Sequence, residues 1–262
     1  MIGVKQEYAP VNGLEMYYEI SGTGNDPVVL IHGAFSGIGT SFGTVAPLLA
    51  ERRQVIGVEL DGHARTAGSD RPIRVETLAS DIVALLAHLG IDRADLFGYS
   101  TGAAVALQVL IDHPSRVRKA VLASLGHTVE AMHPGMWEGM DMLQPEMLHG
   151  SPFHDEYVAL APRPDDFPTL VERIKEFSRN VPVWSAESIR AIEAPVMVVI
   201  GDSDIVRPEG AADLFRLLGG GVNGDLAGLP KARLAVLPGT SHTGVAGRGA
   251  WLAPMVDEFL DA

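Results

Sequence analysis

Hydrophobic positions follow two patterns along this chain. Short continuous apolar runs, "PVVLIHG", "RQVIGVEL", "ADLFGYS", "KAVLASLG", "PVMVVIG" and "RLAVLPG", recur between longer segments of helical period. Unbroken apolar runs of that length predict strands buried on both faces, as in a parallel sheet. Between them, Leu78, Ile82, Leu85, Leu86 and Leu89 return at helical spacing and predict a helix ending at Gly90. "TGAAVALQVLIDHP", "PEGAADLFRLLGG" and "WLAPMVDEFLDA" predict three more helices. The opening "YAPVNGLEMYYEISG" differs, because alternation around Asn12-Gly13 predicts a tight β-hairpin. The sum is an α/β fold with a mostly parallel central sheet of about eight strands and helices on both faces, joined by right-handed crossovers.

One segment breaks the alternation. From His127 to Arg190 no run is strand-like, and the segment holds Met132, Met136, Met140, Met142 and Met147 together with Trp137 and Trp184. The expected organisation is a core from 1–126 and 191–262, with 127–190 inserted as a helical cap over one edge of the sheet. Two readings of the Met-rich stretch stand side by side. It is ordinary helix packing, or it lines an adaptable apolar pocket, since thioethers fill irregular space. On the second reading Phe35, Met136, Trp137, Met140 and Trp184 are the candidate pocket residues.

Composition narrows the partners. Among 262 residues, 33 acidic side chains against 20 basic give a formal charge of -13, which argues against nucleic acid or an anionic membrane. A small-molecule substrate is expected instead. There is no cysteine, so disulfides, thiolate metal sites and thiol nucleophiles are excluded together. The N-terminal stretch lacks a basic and apolar leader pattern, and no run approaches ~18 apolar residues, so a cytoplasmic protein is expected. No cofactor or metal is expected either. Gly219, Gly221 and Gly224 satisfy G-x-G-x-x-G, but they follow a helical segment instead of a strand, and a dinucleotide fingerprint needs the strand.

The candidate chemistry sits at strand ends. Gly98-Tyr99-Ser100-Thr101-Gly102 lies between an apolar run and a helical one, the context of a nucleophile elbow; a helix N-cap serine is the alternative. A serine hydroxyl needs a base and an oxyanion-stabilising pair of donors. The Thr101 N–H is one donor candidate. The loop "HGAF" after an apolar run offers the Ala34 N–H as the second, with His32 shaping that loop. His242 follows the last strand-like run and is the candidate base; His63, His88, His113, His127, His133, His149 and His154 read mostly as surface or loop residues. Beyond "VMVVI" stand Asp202 and Asp204, either of which could orient His242, with Glu130 a more distant competitor.

Ser100, an aspartate and His242 in that chain order, each after a strand, together with "GHARTAGSDRP", "GDSDIVRP" and "PGTSH", resemble the α/β-hydrolase superfamily, in particular serine hydrolases with a helical cap. The resemblance spans nearly the whole chain. It implies Ser100 as nucleophile, Asp204 as acid through the Gly-x-x-Asp spacing, His242 as base, and the Ala34 and Thr101 amides as oxyanion hole. The chain departs from the family where Gly62-His63-Ala64-Arg65-Thr66 replaces Gly-His-Gly-x-Ser and Glu59 replaces an aspartate. The expected function is cofactor-independent cleavage of a carboxylic ester or lactone through an acyl-enzyme. Alternatives are perhydrolysis of the cofactor-free haloperoxidase kind, C–C bond hydrolysis, amide cleavage, or ligand binding without turnover.

Overall fold

A computed structural model describes residues 3–262 of the chain. Asn12 and Gly13, at φ 49° and 84°, turn strand β1 (Lys5–Val11) into antiparallel β2 (Leu14–Ser21). Two successive left-handed residues match the twist of the flanking strands, which is why Asn-Gly marks this turn. Each predicted run then forms a strand: β3 (Val28–Ile31), β4 (Val55–Val58), β5 (Ala94–Tyr99), β6 (Val117–Ala123), β7 (Val196–Ser203) and β8 (Arg233–Ser241). Their order in the sheet is β1-β2-β4-β3-β5-β6-β7-β8. Pairing is antiparallel for β1/β2 and β2/β4 and parallel across the rest.

The expectation of burial on both faces fails for β8. As the last strand it has only β7 for a neighbour, and its alternate side chains Leu234 and Val236 are 36% and 45% exposed. An apolar run of this length does not distinguish an edge strand from a central one.

Eleven helices surround the sheet: α1 (Ile38–Phe42), α2 (Ala46–Leu49), α3 (Val75–His88), α4 (Thr101–Asp112), α5 (Met136–Met142), α6 (Pro152–Leu160), α7 (Phe167–Ser178), α8 (Ala186–Arg190), α9 (Pro208–Leu217), α10 (Gly224–Ala227) and α11 (Gly249–Asp261), counted among the described residues. Strand side chains alternate between two layers because a strand has period two. Val29, Ile31, Val58, Leu96, Leu122 and Val198 pack with α3, α4 and α9. Val28, Leu30, Val55, Phe97, Val121 and Val199 pack with α1, α2 and α11 on the other face.

The segment between β6 and β7 contains α5 to α8 and, among the described residues, no strand beyond an isolated bridge from Met132 to Val206. It is not apolar all round. In α7 a single stripe of Phe167, Leu170, Val171, Ile174 and Phe177 is buried and continuous with the α3 and α4 layer. In α5 no residue is fully buried.

Strand β3 lies between β4 and β5, so the chain winds one way from β3 and the other way into β5. The loops leaving β3 and β5 diverge at that point and open a crevice at the C-terminal edge of the sheet. Register pairs Ile31 with Gly98, which brings the His32–Gly37 loop beside Ser100.

Candidate active site

Ser100 occupies the junction of β5 and α4 at φ 54° and ψ -116°, a backbone conformation that L-residues avoid. The turn is held by a hydrogen bond from the Ser100 N–H to the Ala123 carbonyl, 2.8 Å, and by Ala103 and Ala104 N–H groups donating to the Ser100 carbonyl. Its glycines are required by contact. A Cβ on Gly98 would lie 2.2 Å from the Gly102 carbonyl oxygen, and one on Gly102 would lie 1.8 Å from that of Ile31. Strand and helix backbones approach too closely there for any side chain.

Strain of this kind gathers around one cavity. Five non-glycine residues have positive φ among the described residues, and Phe35, Ser100 and Ser124 of these five line the same cavity. Sparsely populated backbone persists only where surrounding structure holds it in place, and such places cluster at functional sites.

His242 brings the candidate residues together. Its Nε2 lies 3.0 Å from Ser100 Oγ and its Nδ1 lies 2.7 Å from Asp204 Oδ1. The partners set the tautomer: Nδ1–H donates to the carboxylate, and Nε2 is left to accept from the serine hydroxyl. Tyr99 fixes the His242 backbone from below, its hydroxyl donating to the His242 carbonyl at 2.9 Å and its ring stacked on the imidazole at 5.4 Å. Asp204 is almost fully buried. Burial pushes its carboxyl up, but the hydrogen bond from His242 and that from Ser124 Oγ, 2.6 Å, with the Gly201 N–H, hold it below the usual carboxylate value.

Asp202, the competitor, is turned away from His242. Its carboxylate is exposed and accepts the Gly239 and Thr240 N–H groups at 2.8 and 3.0 Å, bracing the end of β8. Glu130 is also exposed, at the start of the β6–β7 segment.

Ala34 and Thr101 both line the cavity that holds Ser100, and neither backbone N–H donates to an acceptor among the described residues. His32 shapes the loop that carries Ala34. It is fully buried, with Nδ1 donating to the Gly33 carbonyl at 2.8 Å and Nε2 accepting the Leu60 N–H at 3.0 Å. Burial lowers it to about 4, so it stays neutral. His63 lies in the loop after β4, as a loop residue was expected to, but it is not at the surface. It is buried against His32, ring centroids 4.9 Å apart, and burial lowers it to about 3. His127, a loop residue after β6 as expected, also lines the cavity.

The cavity measures about 680 Å³. Phe35, Met136, Trp137, Met140 and Trp184 all line it, the last with its Nε1–H donating to Gln108 Oε1 at 2.8 Å. Arg179 is the one Arg or Lys on the described wall, and it is bridged to Asp141 at 2.7 Å. Ser124, Tyr99 and the Arg179–Asp141 pair were not singled out as site residues in the sequence. Ser124 follows an apolar run as Ser100 does, but no glycine pattern flags it.

The family comparison agrees with the architecture. The alpha/beta hydrolase fold family matches residues 26–173, and the chain belongs to it. A dihydrolipoyllysine-residue acetyltransferase component of an acetoin cleaving system from Pseudomonas putida is 28% identical over 257 residues, 92% of this chain and 65% of that protein. This chain therefore spans less than two thirds of that relative's length. A 2-hydroxy-6-oxo-2,4-heptadienoate hydrolase from Pseudomonas putida is 37% identical over 116 residues, 42% of this chain and 41% of that one. Among solved structures, an enol-lactonase from Burkholderia xenovorans superposes with a TM-score of 0.74 at 21% identity, covering 97% of this chain and 100% of that one. No helix among the described residues is long and apolar enough to cross a membrane.

Proposed function

We propose that the chain is a serine hydrolase that cleaves an uncharged carboxylic ester or lactone with a bulky apolar acyl group, with Ser100, His242 and Asp204 as its triad. The observation that carries this reading is the unbroken relay from Ser100 Oγ through His242 to Asp204, at 3.0 and 2.7 Å. The residues from 127 to 190 serve as a cap on a core formed by 1–126 and 191–262, and supply much of the cavity wall.

As Ser100 Oγ attacks the carbonyl carbon, its proton passes to His242 Nε2, and the carbonyl oxygen becomes an oxyanion before the Ala34 and Thr101 N–H groups. Collapse breaks the bond to the alcohol, which takes the proton from Nε2 and leaves Ser100 acylated. Water repeats the path: its proton goes to His242, its oxygen to the acyl carbon, and collapse frees the acid and returns the proton to Ser100. Asp204 remains ionised and stabilises the imidazolium formed in each half. Preorganised amides in a dry site are the largest expected contribution to rate.

Cleavage of a C–C bond in a dienoate is the competing reading, favoured by the heptadienoate hydrolase relative. Such a substrate carries a carboxylate, and a buried carboxylate needs a cation or several donors. Arg179 is already paired with Asp141, so the described wall offers no unpaired Lys or Arg to such a carboxylate, which supports an uncharged substrate.

Steady-state hydrolysis of p-nitrophenyl esters and lactones of graded acyl size, beside a dienoate, tests the reading. Rates should rise with apolar acyl bulk, a fluorophosphonate should label Ser100, and Ser100→Ala should lower kcat by about 10⁴-fold or more. Wild-type rates in Ser100→Ala, or preference for the dienoate over every ester, would overturn it.

A further inference from the structure

The loop that presents Ala34 is anchored from two sides. On the core side, Ser36 Oγ donates to the Gly33 carbonyl at 2.9 Å and lies 2.7 Å from Ser41 Oγ, while His32 ties the loop to Leu60. On the other side the anchor comes from more than 100 residues away. Glu156, on α6 in the inserted segment, accepts the Gly37 N–H at 2.7 Å through Oε2 and the Thr40 N–H at 3.0 Å through Oε1.

That carboxylate is fitted to its place. A Cβ on Gly39 would lie 2.6 Å from Glu156 Oε1, and one on Gly37 would lie 3.1 Å from its carboxyl carbon. Glycine at both positions lets the carboxylate reach the backbone, and both oxygens are used. Charge-assisted bonds to backbone N–H groups are about twice as strong as neutral ones. A second contact between the inserted segment and the core is separate from this loop. Arg173 on α7 donates to Asp61 Oδ1 at 3.2 Å and to the Arg71 carbonyl at 2.8 Å, in the loop after β4.

We infer that Glu156 is a positioning residue that couples seating of the inserted helices to the geometry of the Ala34 amide, so that the oxyanion-binding loop is held in its working shape only while α6 is docked. The inference rests on the proposed serine hydrolase reading for its catalytic consequence, though the hold on the loop does not depend on turnover. Donors to an oxyanion act only if they are held where the charge develops. Loss of the α6 anchor therefore slows acylation more than it weakens substrate binding.

Three variants, Glu156→Ala, Glu156→Gln and Arg173→Ala, separate this from general loosening of the inserted segment. Glu156→Ala should lower kcat by about tenfold or more with KM changed by about threefold or less, because the loss falls on transition-state stabilisation. Glu156→Gln, whose amide oxygen can still accept one N–H, should lie between Glu156→Ala and wild type. Arg173→Ala should keep kcat within about threefold of wild type, since it leaves the loop's anchors in place. Backbone hydrogen exchange read over residues 33–42 should accelerate in Glu156→Ala and not in Arg173→Ala. Unchanged exchange over that loop in Glu156→Ala would overturn the inference, as would equal kcat losses in Glu156→Ala and Arg173→Ala. Failure of the hydrolase reading is recognised separately: wild type then neither turns over esters nor labels at Ser100, while loop exchange still decides the role of Glu156.

Discussion

The two walls of the cavity are built on different principles. Toward the sheet, Ser100, Ala34 and Thr101 are carried by backbone packed so tightly that glycines at 98 and 102 admit no Cβ, and the strain at Ser100 is locked by hydrogen bonds to β6 and within the first turn of α4. Toward solvent, Met136, Trp137 and Met140 stand on α5, a short helix in which no residue is fully buried and Gly139 has open space around it. Reacting groups need positions held to a fraction of an ångström, and backbone contacts supply that. An apolar substrate needs only volume and surface, which flexible thioethers can adjust to supply.

The contrast can be broken most sharply at the glycines. Gly102→Ala forces a methyl against the Ile31 carbonyl, 1.8 Å away, and is expected to cost more than about 4 kcal/mol and to leave little soluble folded protein, as read by thermal unfolding. Next comes the relay. Asp204→Asn keeps the side-chain shape but removes the charge that orients His242 and stabilises its imidazolium, and kcat is expected to fall by roughly 10³- to 10⁴-fold with the fold retained. A loss under tenfold would show that Asp204 does not serve this role.

The loop after β4, outside both walls, offers a pH test. Glu59 is fully buried beside Arg65, and burial, which outweighs the Arg65 guanidinium and N–H, raises it from 4.5 to about 7. The folded chain therefore binds more protons than the unfolded chain between those values. Its contribution to stability is greatest below pH 4.5 and is lost as pH rises toward 7. Relative to wild type, Glu59→Gln should gain up to about 3 kcal/mol across that window, measured by urea unfolding at each pH. A constant difference would mean that Glu59 is ionised throughout.

Smaller effects are expected on the outer wall. Met136→Ala should lower kcat/KM for a bulky acyl ester by about tenfold and leave an acetate ester within about twofold, because it removes apolar contact and no reacting group. Equal losses on both esters would move Met136 from the selective wall to the chemical one. The mildest change is Gly139→Ala, which meets no atom within 4 Å and should stabilise α5 by about 0.5 to 1 kcal/mol.

Much of this architecture was legible in the chain itself. The order of the strands, the helices α3, α4, α9 and α11 and the Asn12-Gly13 hairpin follow from periodicity and turn residues, which act over a few neighbours at a time, and the α/β-hydrolase fold from the resemblance of its motifs to that family. Ser100, Asp204 and His242 could be nominated because each sits just beyond a strand and the elbow needs its glycines. Edge position could not be read, as β8 demonstrates, because exposure depends on what lies alongside a strand and not on its own residues. The same is true of the burial of His63, a loop residue whose ring lies beside that of His32.

The residues alone left Asp202 and Asp204 open, the family's Gly-x-x-Asp spacing favoured Asp204, and the tertiary structure brings Asp204 to His242. Asp202 and Asp204 are two residues apart on equivalent local sequence, yet only Asp204 meets the imidazole, and that contact joins positions 38 residues apart. Ser124 beneath Asp204, Tyr99 beneath His242, the Arg179–Asp141 bridge and the reach of Glu156 to Gly37 were decided by tertiary structure alone. Local chemistry sets which conformations a short stretch prefers. Which side chains meet across the crevice is set by the sheet order and by the seating of the inserted helices, and neither is encoded within any one stretch.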